Sequence, residues 1–247
     1  MKRIALWIAL VVASPAFAQP SDPQAEVARS LDALARQGGR EAVQQIEARV
    51  RQGLPPPLLA RAVAALAQIG DRHAASALLS LASHRRAAVR AQVAEALGRM
   101  NDPRARPVLA DLLDDQDPRV RSAAALALGQ LGPERVIDSL VIATARGVSE
   151  AAIVVGQHAR PADVPRLLRR VDASTLPAFA PALRVLLERD NVPLRSKQAI
   201  VRALAGIRDV ESERILREAG AALAASDPLR ASVNEALEQL AGEEDER

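Results

Sequence analysis

The sequence predicts an all-α protein built as a stack of antiparallel helix pairs. Three observations carry that prediction. The first is self-similarity at a fixed step: Ala65-Leu66-Ala67-Gln68-Ile69-Gly70, Ala96-Leu97-Gly98-Arg99-Met100-Asn101 and Ala127-Leu128-Gly129-Gln130-Leu131-Gly132 follow one another at an offset of 31 residues. Repetition at such a period marks stacked units rather than one globular core. The second is composition. The chain is rich in Ala, Leu and Arg, which are strong helix formers. The aromatic residues that favour sheets are nearly absent, with Phe179 alone after position 18. The third is punctuation: Asp102-Pro103 and Asp117-Pro118 each precede an apolar stripe at helical spacing. Asp caps free N–H groups there, and Pro suits the first helical position.

Taken from the N-terminus, Met1-Lys2-Arg3 is a short basic start and Ile4 to Ala13 an uncharged apolar run. Ser14-Pro15-Ala16-Phe17-Ala18 then sets small residues at 16 and 18. This is the layout of a secretory signal peptide, with cleavage expected after Ala18. The run is too short to cross a bilayer, and without cysteine a lipoprotein-type lipidated cysteine is excluded. The expected organisation is a cleaved signal at 1–18, a helical array over 19–242 that is most regular at 55–146, and a charged tail at 243–247. The expected location is periplasmic or secreted, with no membrane insertion after cleavage.

The unit at 102–132 shows how the array is made. Val108, Leu109, Leu112 and Leu113 form the stripe of a first helix, Asp114-Asp115-Gln116 breaks it, and Val120, Ala124, Ala127, Leu128 and Leu131 form the stripe of a second. Such short helices are marginal alone, so stacked neighbours must supply the apolar partner. The small residues at 96, 98, 127 and 129 permit close approach of helix axes. Helices are expected at 23–37, 40–52, 55–69, 72–83 and 86–100 before this unit. After it they are expected at 133–146, 148–158, 161–171, 175–190, 193–207, 211–224 and 227–241. Beyond residue 146 the step of 31 fails. Echoes lie at 74 (Val120-Arg121-Ser122 with Leu194-Arg195-Ser196) and at 109 (Val120-Arg121 with Leu229-Arg230). The register therefore breaks over 147–192, where prolines cluster around Phe179, and a kink or an unpaired helix is expected there.

The pattern Asp-Pro-x-Val-Arg-Ser-x-Ala-x-x-Ala-Leu-Gly at 117–129 resembles a HEAT repeat of the short bacterial type. The resemblance is strong over about 55–146 and weaker to 241. It implies a right-handed α-solenoid whose second helices line a concave face. It implies no activity, since arrays of this kind mostly scaffold or bind other proteins.

The charge balance points the same way. Of 33 Lys and Arg, Lys2 and Arg3 leave with the signal, so 31 remain against 30 acids. The high isoelectric point of about 10.3 reflects a small excess of arginine, which stays charged at any ordinary pH, not a basic surface. Three histidines, His73, His84 and His158, are scattered with no acid at ligand spacing, and no His-Glu pair occurs. No metal or cofactor site is expected. Nucleophilic catalysis lacks cysteine and any Gly-x-Ser-x-Gly turn, so the chain reads as non-enzymatic. The acids at 114, 115 and 117 read as a solvated turn with one capping Asp rather than a catalytic or calcium site.

Nucleic-acid binding through Arg85, Arg86, Arg90, Arg99, Arg104, Arg106, Arg119 and Arg121 is disfavoured by the missing aromatic platforms. Arg90, Arg121, Arg195 and Arg230 share one repeat position by these offsets, with Leu59 ending the row. As a site, Arg90, Arg121 and Arg195 would fork onto carboxylates of a partner protein. The alternative, favoured by the family resemblance, is a ladder that ties each unit to turn acids or carbonyls of its neighbour. Two further readings stand beside the scaffold: a cradle for a small molecule and a client protein, resembling the HEAT-like phycobilin lyases, and an oligomer stacked through open array ends.

Overall fold

The computed structural model describes residues 22–242. The expected signal segment and the acidic tail at 243–247 lie outside the described residues. Within them the chain forms fourteen α-helices and one 3-10 turn, without a strand. The helices are α1 (Pro23–Gln37), α2 (Gly39–Gln52), α3 (Pro56–Ile69), α4 (Arg72–Leu81), α5 (Ala87–Met100), α6 (Arg106–Leu112), α7 (Pro118–Gln130), α8 (Ile137–Ala145), α9 (Ser149–His158), α10 (Val164–Leu168), α11 (Leu176–Glu188), α12 (Leu194–Ile207), α13 (Val210–Ala222) and α14 (Pro228–Gly242). A 3-10 turn at Pro103–Ala105 leads into α6.

Helix starts follow the punctuation in the sequence. The side chains of Asp71, Asp102, Asp117 and Asp209 each accept a backbone N–H in the first turn that follows, satisfying donors that the helix itself leaves free. Helix ends repeat as well. Gly70, Asn101 and Gly132, each 31 residues on from the last, all have positive φ, at 68°, 53° and 75°. Asn is the non-glycine residue that tolerates this region best, which is why it can replace Gly in the middle copy.

Two corrections fall between α7 and α11. The helix expected at 133–146 begins only at Ile137, because Pro133 to Val136 form a turn. The helix expected at 161–171 shrinks to the five residues of α10. Pro161 and Pro165 remove two donors there, and the carboxylate of Asp163 takes the backbone N–H of Arg160 and closes the entry turn.

The helices form two layers around one continuous core. The odd-numbered helices from α1 to α13 pack on one another in succession along the whole chain. Of the even-numbered helices only α2 with α4, α10 with α12, and α12 with α14 make extended contact. A layer drawn together on one side and opened on the other bends the stack toward the odd layer. Small residues allow the close approach. A Cβ on Gly98 of α5 would lie 2.8 Å from the Cα of Ala127 on α7. One on Gly156 of α9 would lie 3.0 Å from the Cα of Ala182 on α11. The solenoid is therefore held by backbone-to-backbone contact at these crossings, as the small residues at 98 and 127 predict.

The register break has a definite form. Arg208, at the end of α12, has a positive φ of 57° and is followed by the capping Asp209. That pair repeats the junctions Gly70-Asp71 and Asn101-Asp102. By helix ends α12 is thus the counterpart of α3, α5 and α7, at 76 residues from α7 (Gly132 to Arg208). Yet α12 lies in the even layer, beside α10 and α14, whereas α3, α5 and α7 lie in the odd one. Strict alternation from α7 would make the counterpart α11 or α13. One helix too many separates the two halves, and α10 is the helix without the length to complete a unit. Phe179 on α11 is fully buried beside this fault, and Pro181 is carried inside the same helix.

Candidate functional site

The arginine row resolves into two kinds of residue. Arg90 is the fourth residue of α5 and Arg121 the fourth of α7. Arg90 donates from Nε and Nη2 to the two carboxylate oxygens of Asp115, at 2.6 and 2.7 Å, and from Nη1 to the carbonyl of His84 at 2.8 Å. Arg121 donates to the carbonyls of Asp115 and Gln116, at 2.9 and 3.0 Å. Arg230 on α14 does the same for the carbonyl of Leu223 at 2.7 Å. Each guanidinium laces a helix to the turn before it, and Arg90 also reaches the turn of the next unit. The Arg90 guanidinium holds the Asp115 carboxyl below the usual carboxylate range, against the opposing effect of its burial.

Arg195 is not part of that row. The echo at 74 misplaces it by two residues, since helix ends give 76. Arg195 is the second residue of α12, in the place of Arg119, and Lys197 stands in the place of Arg121. Arg119 pairs with the capping Asp117 at 2.8 Å, and its side chain holds the Asp117 carboxyl down at about 2. The residue before α12 is Pro193, which offers no carboxylate. Arg195 therefore projects into solvent. Burial shows the same shift: Val120 is fully buried whereas Leu194, its partner at 74, is 39% exposed.

The free Arg195 lies in the groove that opens between α10 and α12. This groove, about 560 Å³, is lined by Arg160, Pro161, Ala162, Val164, Pro165, Arg195, Ser196 and Ala199. A second groove of about 520 Å³ opens on the other side of α10, against α8, and is lined by Asp138, Val141, Arg166, Arg169 and Arg170. Both exist because α10 is short and the even layer is splayed.

The ridge between them is pinned from below by Asp163, whose side chain is only 4% exposed. It accepts from Arg160 Nε at 3.1 Å and from Arg166 Nη2 at 2.7 Å. Burial alone would raise the Asp163 carboxyl, but the hydrogen bonds from Arg160 and then Arg166 outweigh it and hold the group ionised below its ordinary range. Arg166 also reaches Asp138 on α8 at 3.0 Å. Arg189 closes the end of α9 by donating to the carbonyls of Gly156 and Ala159, at 2.7 and 3.0 Å. Burial lowers its pKa.

The basic stripe considered for nucleic acid is largely committed within the fold. Arg104 is paired with Asp102, Arg119 with Asp117 and Arg99 with Glu95, while Arg106 donates to the carbonyls of Leu131 and Gly132. Among the described residues no group of three or more His, Cys, Asp or Glu is placed to hold a metal ion, and no helix is long and apolar enough to cross a membrane. Sequence reasoning missed Arg166, Arg169 and Arg170 as a cluster. The Arg169-Arg170 pair was visible, but nothing in the repeat said that the helix carrying it would be cut to five residues.

One family model agrees with the architecture. A family model described as HEAT repeats matches residues 43–117 and 77–154. No curated protein matches the chain. Among solved structures, human deoxyhypusine hydroxylase in complex with glycerol is 20% identical over 91% of this chain and 93% of that one, with a TM-score of 0.42. The complex of CpcE and CpcF of phycocyanin lyase from Nostoc sp. PCC7120 is 17% identical over 93% and 99%, also at 0.42. An engineered protein is 18% identical over 91% and 76%, at 0.44. The repeats matched by the family model run from α2 into α9, and over that stretch the chain is built of HEAT repeats.

Proposed function

We propose that this chain is a non-enzymatic scaffold, exported to the periplasm, that binds a partner protein on the concave face of its odd layer. The observation that carries the reading is a pair of exposed apolar side chains on neighbouring helices of that layer. Leu126 on α7 is 48% exposed and Ile153 on α9 is 41% exposed, in a stack whose other large apolar residues are mostly buried. Both helices bury their remaining faces against the stack, so these side chains point away from it. Apolar anchors on a rigid surface bind at low ordering cost. The arginine ladder of Arg90, Asp115 and Arg121 supplies the rigidity.

The test places a photo-crosslinking residue at position 126 or 153 in the native envelope and identifies the adducts by mass spectrometry. One protein captured from both positions, and lost when Leu126→Glu is combined with Ile153→Glu, is the expected result. If these positions capture nothing and a small ligand instead raises the melting temperature, the scaffold reading gives way to a small-molecule cradle. N-terminal sequencing of the isolated protein tests export: a start at Gln19 is expected, and a start at Met1 overturns it.

A further inference from the structure

We infer that the two grooves flanking α10 form a second docking site, which takes an acidic, extended segment of a partner protein. It rests on the scaffold reading only in requiring a protein partner, and it uses the opposite layer. Arg169 and Arg170 on one side of the ridge and Arg195 on the other are exposed, and among the described residues none has a side-chain hydrogen bond or ion pair. The neighbouring carboxylates are already engaged, Asp163 by Arg160 and Arg166, and Asp138 by Arg166. Three guanidiniums are thus left to face the solvent, and the acid nearest Arg170 in sequence, Asp172, accepts from the N–H and hydroxyl groups of Ser174 and Thr175.

The ground on the Arg195 side of the ridge is apolar. Pro161, Ala162, Val164, Pro165 and Ala199 line the groove under Arg195. This combination selects among anions. Guanidinium forks match carboxylates bidentately. A floor of small apolar side chains accepts short residues placed between those carboxylates. Bases of a single-stranded nucleic acid need aromatic platforms, and the one aromatic residue of the region, Phe179, is fully buried.

Size sets the length of the segment. Five residues of helix extend only about 7.5 Å along their axis, so α10 is a short ridge that a single chain can cross. Spanning the two grooves, roughly 20 Å at ordinary helix spacings, takes about six to eight extended residues. The register break therefore does more than bend the array. It removes the acid that would have paired Arg195, shortens the helix that would have filled the space, and leaves one free cation at the apolar groove and two at the charged groove across the ridge.

The test uses the chain as isolated from the producing cells and a fluorescein-labelled peptide, (Glu-Pro-Glu-Ala)3, read by fluorescence anisotropy. The same peptide with Gln for Glu, a single-stranded oligothymidine of twelve nucleotides, and vesicles of anionic phospholipid are the comparisons. The Glu peptide is expected to bind with an affinity that falls as salt rises, and the Gln peptide is not. The combined variant Arg169→Ala, Arg170→Ala and Arg195→Ala should weaken binding by about tenfold or more. Arg51→Ala with Arg85→Ala, elsewhere on the surface, should leave it unchanged. None of the five residues is part of the internal lacing, so circular dichroism should stay the same for both variants.

Equal binding by the triple variant, binding of the Gln peptide, or no binding at all overturns the proposal. Tighter binding of the oligonucleotide or the vesicles than of the peptide overturns it in favour of those partners. Each of these outcomes leaves crosslinking from positions 126 and 153 untouched, so the groove can fail while the scaffold stands.

Discussion

Replacing Gly98 by alanine sets two opposed effects against each other, and the structure says which prevails. Gly98 lies inside α5, where alanine is intrinsically favoured by about 1 kcal/mol. The added Cβ would stand 2.8 Å from both the Cα and the Cβ of Ala127, and 2.6 Å from Gln130 Oε1. The Gln130 amide is the end of a flexible side chain and can swing aside. The Cα of Ala127 is backbone and cannot. Carbon atoms in good contact sit about 3.5–4.0 Å apart, so α5 and α7 must separate by roughly 1 Å. Overpacking of this kind costs about 2–3 kcal/mol, which leaves a net loss of about 1–2 kcal/mol. In a stack of nearest-neighbour interfaces that loss falls on one crossing and is not shared.

Gly206 on α12 is the control, since a Cβ there meets nothing within 4 Å. Gly206→Ala should stabilise by about 0.5 kcal/mol. The assay is equilibrium urea unfolding followed by far-UV circular dichroism. If Gly98→Ala is as stable as the parent chain, the close crossing of α5 and α7 is wrong.

Other perturbations follow from the same contacts. Asp115→Ala removes the bidentate partner of Arg90 and the acceptor of the Asp117 N–H. A loss of about 2 kcal/mol is expected, and an unchanged urea midpoint would contradict the lacing role. Phe179→Ala should cost about 3–4 kcal/mol, because the side chain is fully buried and the cavity left behind adds to the lost transfer energy; a loss below about 1 kcal/mol would place Phe179 outside the core. Asn101→Gly should be neutral or slightly stabilising at its positive φ, whereas Asn101→Val should destabilise by about 1 kcal/mol or more, and the two urea midpoints should move apart accordingly. Acid should weaken the fold in a definite window. The carboxyls of Asp115, Asp117 and Asp163 are held below their ordinary range in the folded chain. Such groups contribute stability that is fully present above the unfolded value of about 3.9 and is lost as pH falls through the folded values. Urea midpoints should hold steady from about pH 7 to pH 5 and fall from about pH 4 towards pH 2, and a rise over that lower range would refute the assignment.

The repeat made the helical array legible, and the local signals placed most helix ends within a residue or two. Expected and observed bounds agree at Pro23–Gln37 and differ by one residue at Ala87–Met100. These are places where capping Asp, Pro and αL residues act locally. Where tertiary contacts decide, the sequence was silent. Nothing local shows that Asp163 will be buried and will hold Arg160 and Arg166, and so close α10 at five residues. The match of Leu194-Arg195-Ser196 to Val120-Arg121-Ser122 is a true likeness of residues but a false likeness of place. Ser196, not Leu194, turns inward, which moves Arg195 from the ladder to the groove. The candidate site was therefore visible as a region, 147–192, and as one residue, Arg195, but not as the two grooves that carry Arg195 and, across the ridge, Arg169 and Arg170.

The claim on which the rest depends is that α10 shifts the two halves of the array by one helix, so that α9 is followed in its layer by α11 and not by α12. The chain has no cysteine, so paired substitutions can report it without background. A Cβ on Gly156 would lie 2.9 Å from the Cβ of Val185 on α11, a gap that small adjustment brings to the roughly 3.5–4.5 Å of a disulfide. If α12 followed α9 instead, Gly156 would face Ala203, which stands 76 residues beyond Ala127, the residue that Gly98 meets. Under mild oxidation the pair Gly156→Cys with Val185→Cys should crosslink rapidly, and Gly156→Cys with Ala203→Cys should not. Crosslinking of the second pair and not the first would contradict the shift, and with it the origin of the grooves beside α10.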